Sequence, residues 1–203
     1  ERPFVLRIRG DSLLNARADA PYAFEAEIRE GNTRIDAHGM LAGAIDLSAI
    51  DATVTFSGDD LSDLHYLTGL ALPNTPPYQL SGQLSRDHAQ YDFSEFSGNL
   101  GDSDIAGNLS VDASNERPFL TADITSQRLD FDDVATLFGA PPATEADETA
   151  SDEQVAAERQ LAAADRLLPD APLQIDRVRN MDAEVEFTAT EVVSETLPLR
   201  SIS

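Results

Sequence analysis

Residues 98–139 read GNLGDSDIAGNLSVDASNERPFLTADITSQRLDFDDVATLFG, and the reading of this stretch decides the fold. Glycines and Asp102 punctuate two alternating runs in its first part, which predicts a hairpin. In its second part Leu120, Ala122 and Ile124 stand at period two, and Leu129 follows the last of them by five. Working outward, the chain repeats that pattern three more times. Phe4, Leu6 and Ile8 lead to Leu13, Ala52, Val54 and Phe56 to Leu61, and Ala183, Val185 and Phe187 to Val192. Four copies about 50–70 residues apart point to a repeat architecture rather than a single deep core. Side chains alternate across a strand, so the apolar members of each copy share one face. Arg7, Thr53, Thr55, Thr121, Asp123, Glu184 and Glu186 share the other.

The segments between the copies fit the same design. Tyr22, Phe24, Ala26 and Ile28 oppose Glu25, Glu27 and Arg29, and Glu30-Gly31-Asn32 turns the chain into Ile35, Ala37 and Gly39. Pro77-Tyr78-x-Leu80-x-Gly82-x-Leu84 echoes Pro21 to Ile28. Tyr91, Phe93 and, past an irregularity, Phe96 form the next arm, and Ile105, Gly107, Leu109 and Val111 pair back across Gly98–Gly101. Asp59 or Asp60 caps a short helix over about 60–68, and one of Asp130, Asp132 and Asp133 caps another over about 131–138. ATEADETASDE (143–153) is acidic and poor in bulky apolar residues, a flexible linker. Ser151 and Gln154 have capping-box spacing before a helix over about 152–168, which carries Ala157, Leu161, Ala164 and Leu168 on one stripe.

Composition agrees with this plan. The 203 residues hold 41% apolar and 6% aromatic side chains and neither Trp nor Cys, a lean supply for a thick core. The expected fold is mainly β: an elongated, curved antiparallel sheet of repeated strand units, apolar on one face like a trough, with the two short helices and the longer one added. The same alternation also allows a two-sheet sandwich with a dry core. Residues 1–203 read as one β-rich segment of a larger protein, with 152–168 an inserted helix.

A net charge of −23, with every basic residue an Arg, repels phosphate backbones and argues against nucleic acid as a partner. His38, His65 and His88 lie in different elements without ligand spacing. No G-x-S-x-G elbow and no complete calcium loop occurs, and Asp102-x-Asp104 and Asp130-x-Asp132-Asp133 stand where turns and caps want Asp. The chain is therefore expected to be neither an enzyme nor the holder of a cofactor or metal.

The stretch from Leu72 to Gly139 resembles the C-terminal part of the AsmA family of bacterial envelope proteins. LPNTPPYQLSG (72–82), GNLGDSDIAGNLSVD (98–112) and RPFLTADITSQRLDFDDV (117–134) carry the resemblance, followed in order by RLLPDAPL (166–173) and MDAEVEF (181–187). It implies a periplasmic segment of a protein anchored in the inner membrane by a part absent from this sequence. It also implies an elongated β-rich body with a hydrophobic groove, related to bridge-like lipid-transfer proteins and linked to outer-membrane biogenesis. Its partners would be phospholipid or another lipid and other envelope proteins. On that reading the groove face consists of Phe4, Leu6, Ile8, Val54, Phe56, Leu120, Ala122, Ile124, Val185 and Phe187. The alternative is an acidic β-sandwich that binds a protein or glycan at the cell surface.

Overall fold

The structure, a computed structural model, describes residues 4–10, 20–43, 46–64, 74–134, 155 and 182–193. Nine strands follow in chain order: β1 (Phe4–Gly10), β2 (Tyr22–Glu30), β3 (Thr33–Gly43), β4 (Asp46–Gly58), β5 (Tyr78–Asp87), β6 (Gln90–Leu100), β7 (Ser103–Asp112), β8 (Phe119–Asp130) and β9 (Asp182–Val193). They form one sheet in which spatial order equals sequence order. The sandwich is thus overturned: a single open, curved sheet forms, because each short turn returns the next strand to its predecessor's side. Two-residue turns at Gly31-Asn32, His88-Ala89 and Gly101-Asp102 make three of those returns.

The first eight strands pair antiparallel, but β9 lies parallel to β8. This departs from the all-antiparallel expectation. A tight turn can only reverse the chain, whereas the long connection between Val134 and Asp182 lets β9 enter from the end where β8 began. The register sets Leu120 against Ala183, Ala122 against Val185, Ile124 against Phe187 and Leu129 against Val192. Two copies of the sequence repeat therefore lie side by side, residue against equivalent residue.

The five-residue step takes two physical forms in the second and third copies. In β8, Ser126 and Leu129 are both buried, so the alternation slips by one residue between them. The Asp104 carboxylate accepts the consecutive N–H groups of Gln127 and Arg128 at 3.0 and 2.6 Å and stabilises the slip. Those bonds hold the Asp104 carboxyl below its usual range. Asp104→Ala should speed hydrogen exchange at the Gln127 and Arg128 amides and leave the β5–β6 ladder unaffected; unchanged exchange would mean that the slip holds without the carboxylate. After β4, the same step is instead a 3₁₀ turn, Leu61–Leu64. Asp60, 1% exposed, accepts from Ser62 N–H (2.8 Å), Thr75 N–H (3.1 Å) and Asn74 Nδ2 (2.9 Å).

The equivalent turn after β8 is α1 (Phe131–Val134), where Asp130 accepts from Asp132 N–H at 3.1 Å. The expected helices over 60–68 and 131–138 are thus present as single turns in the described residues. Linker 143–153 and helix 152–168 lie outside them, Val155 excepted. The Leu61–Leu64 turn and α1 sit at the same end of the sheet, beside the starts of β5 and β7, and Leu64 and Val134 join one apolar cluster with Tyr78, Leu100 and Ile105. Asp133 ties α1 to the β6–β7 turn by accepting Ser103 Oγ (2.6 Å) and Asp102 N–H (3.0 Å).

Candidate functional site

Alternation divides the sheet into two unlike faces. The outer face is polar and paired with itself. Arg7 bonds Glu27 at 3.1 Å, Arg29 reaches the same carboxylate, and Arg34 bonds Asp36. Farther along, Thr53 exchanges hydrogen bonds with Gln83 and Thr55 with Ser81. Two arginines on one carboxylate hold Glu27 below the ordinary carboxylate range.

The inner face is apolar from one edge to the other. Rings from strands two apart meet on it. Phe56 of β4 and Phe93 of β6 are 5.3 Å apart edge to face, across β5, and Phe93 stacks on Phe96 at the same distance. Strands two apart in a flat sheet are separated by about 9.5 Å, so the sheet is bent toward this face. Gly98 allows a close approach: a Cβ there would stand 1.9 Å from the Gln79 carbonyl oxygen of β5. Gly39 is in the same position against Asp51 of β4, at 2.1 Å. Curvature buries the middle of the face, where Ala52 and Val54 are each 2% exposed. Toward the edges the cover ends. Phe4, Leu6 and Ile8 of β1 are 57%, 49% and 64% exposed, and Val185 and Phe187 of β9 are 55% and 39% exposed.

The ten residues read from the sequence as the groove face thus share one side of one sheet but not one environment. Val54, Leu120 and Ala122 are core, Phe56 and Ile124 are half-buried, and those on β1 and β9 are open. The repeat pattern selected β1, β4, β8 and β9 and passed over strands that line the same face, with Phe24, Ala26 and Ile28 on β2, Leu84 on β5 and Leu109 on β7. Their alternation was the available signal. Of the histidines, His38 and His88 are exposed in β3 and in the β5–β6 turn, and His65 lies outside the described residues. Of the aspartates with partial calcium spacing, Asp104, Asp130 and Asp133 accept from backbone or hydroxyl groups, as described above, and among the described residues no cluster of three or more His, Cys, Asp or Glu is placed to hold a metal ion. Among the same residues, no helix is long and apolar enough to cross a membrane.

Among the described residues the sheet is wet on one face and apolar on the other, with its first and last strands exposed, and this defines the class: a repeat-built β-scaffold. The chain belongs to the AsmA family, whose model matches residues 7–203. It is 31% identical over 205 residues to the AsmA family protein YhjG of Escherichia coli K12, a match that takes in 98% of this chain and 29% of that relative. The chain therefore spans less than a third of its relative's length. No solved structure matches it. Membership of this family sets the protein in the context of the bacterial envelope and outer-membrane biogenesis.

Proposed function

We propose that this segment holds phospholipid acyl chains against its inner face, as a non-catalytic part of an envelope protein that moves or stores lipid between the two membranes. In this reading the sheet lies in the periplasm, and a part of the protein outside this sequence anchors it in the inner membrane. One observation carries the reading: the apolar face stays uncovered at β1 and β9, while the opposite face is ion-paired and wet. Large exposed apolar patches mark surfaces that meet apolar partners. Acyl chains suit this one because they are flexible and need no hydrogen bonds, and the inner face offers few. The buried centre supplies the rigid curvature, and the open flanks supply the contact.

Photo-crosslinking in cells tests the reading on the full-length protein. A crosslinker at Leu6, Val185 or Phe187 should capture lipid, and one at Arg7, Glu184 or Glu186, one residue away on the outer face, should not. Equal capture from both faces would overturn the proposal. Capture of a protein or glycan from the inner face, with no lipid, would favour the binding-module alternative on a sheet instead of a sandwich.

A further inference from the structure

The two ends of the strands leave the inner face in unlike states. At the end where β5 and β7 start, the Leu61–Leu64 turn and α1 pack against it, and Tyr78 and Leu100 are buried there with Leu64 and Val134. At the opposite end the middle strands are only half-buried on this face, at Ile50 of β4, Leu84 of β5 and Tyr91 of β6. That end also carries a charge on the apolar side. The cross-strand neighbours at its level are Leu41, Ile50, Arg86, Tyr91, Val111 and Leu120, one from each of β3 to β8. Five are apolar or aromatic. The sixth is Arg86, which alternation with Leu80 and Leu84 places inward.

Arg86 is held there on two sides. Its Nε–H donates to the His88 carbonyl at 2.9 Å, and its guanidinium carbon lies 5.0 Å from the centre of the Tyr91 ring. These contacts fix the plane of the fork and leave its charge uncompensated. Among the described residues the two terminal amino groups make no hydrogen bond and the guanidinium no ion pair. With 37 acidic residues to 14 basic ones, the chain has carboxylates in excess, yet none of the described ones meets Arg86. Two acids of this end are engaged elsewhere: Asp87 stands on the outer face with His88 Nδ1, and Asp46 accepts the Ser48 N–H at 2.9 Å. A charge set among apolar side chains without a counter-ion is costly, and a ligand that brings an anion offsets the cost. An arginine fork matches the oxygens of a phosphate two at a time. Apolar sites use a few such groups to fix how a ligand lies.

We propose that Arg86 binds the phosphate of a phospholipid headgroup at the half-open end of the trough, with Tyr91 as its positioning residue. The acyl chains then run from it along the apolar face. This deepens the lipid reading and rests on it. It gives the bound lipid a direction, with the headgroup at the Arg86 end and away from the buried acids Asp60 and Asp133 at the other.

Photo-capture by the purified full-length protein tests the proposal. One probe is phosphatidylethanolamine, neutral overall so that the net charge of the chain does not bias it. The other is diacylglycerol with the same acyl chains, and both carry the photoreactive group at a chain end. The parent should capture the phospholipid about tenfold more than the diacylglycerol, the effect of one charge-assisted pair. Arg86→Gln should remove that preference and keep diacylglycerol capture, which shows the sheet intact. Arg86→Lys, a charge without the fork, should keep part of the preference. Inorganic phosphate in excess should leave it standing, because the lipid is held by its chains as well. Equal capture of both probes by the parent, or a preference that survives Arg86→Gln, overturns the assignment while the lipid reading stands. Loss of both lipids in Arg86→Gln overturns it too and gives Arg86 a structural role. A preference erased by inorganic phosphate makes free phosphate the ligand and overturns the headgroup site. Capture of neither probe by the parent removes the lipid reading itself, and this assignment with it.

Discussion

Gly98→Val is expected to abolish the folded sheet, and Gly98→Ala to cost about 3 kcal/mol or more, at the upper end of what overpacking does. The reason is backbone, not side chain. A Cβ at Gly98 would stand 1.9 Å from the Gln79 carbonyl oxygen and 3.0 Å from Leu80 Cα, both on β5. No rotamer relieves such a contact, so β5 and β6 must separate where Leu80 pairs with Gly98 and Gln79 with Asn99. That pairing holds Leu80, Phe96 and Leu100 in the apolar cluster. A domain with the usual 5–15 kcal/mol of stability, about that range for most natural proteins, tolerates little of this. The control is Ser97→Ala, next door on the outer face, where the change should be small. Urea denaturation followed by circular dichroism measures all three, and a Gly98→Ala midpoint equal to that of the parent would disprove the close approach.

The second large effect is a dependence on pH with a definite sign. Asp133 is 3% exposed, and burial, with Asp130 and Asp102 nearby, raises its carboxyl from the ordinary 3.8 to about 6, against the lowering effect of Ser103 Oγ and Asp102 N–H. The folded chain therefore keeps this proton at a pH where the unfolded chain has lost it. Stability from this group is complete below about pH 4 and is lost as pH rises through about 6, by at most about 3 kcal/mol. Glu27 and Asp104, whose carboxyls are held low, act in the opposite sense and at more acid pH. Asp133→Asn should accordingly match the parent near pH 4 and exceed it in stability at pH 7.5, because the amide keeps an acceptor for Ser103 Oγ and carries no charge. Thermal melts of both proteins across that range decide the matter. A variant less stable than the parent at pH 7.5 would show that the ionised carboxylate is instead favoured at the β6–β7 turn. Gly101, at φ 58°, belongs to the same contact, since a Cβ there would run into the Asp133 carboxylate and Pro76.

Much of this architecture was legible from local pattern. Period-two alternation, glycine turns and the fourfold repeat follow from strand geometry and turn chemistry, which act over a few residues. They determined a mainly β chain, its two unlike faces, the break between Phe93 and Phe96 and the capping aspartates at both short turns. Glu95, at φ 50°, marks that break, with its N–H on the Asn108 side chain. The family resemblance rested on ordered motifs of the same local kind.

Only the tertiary structure decided how the strands share one sheet. Pairing direction at β9 depends on where a long connection ends, and no local pattern records that. Whether an apolar strand is core or surface depends on its neighbours: Val54 and Val185 occupy equivalent places in the repeat, yet one lies between paired strands under a curved wall and the other on an edge. The sequence by itself determined which side chains face inward, because alternation is a property of each strand alone. Which of them are buried was decided by the order, direction and curvature of the assembled sheet, which arise from contacts between residues far apart in the chain.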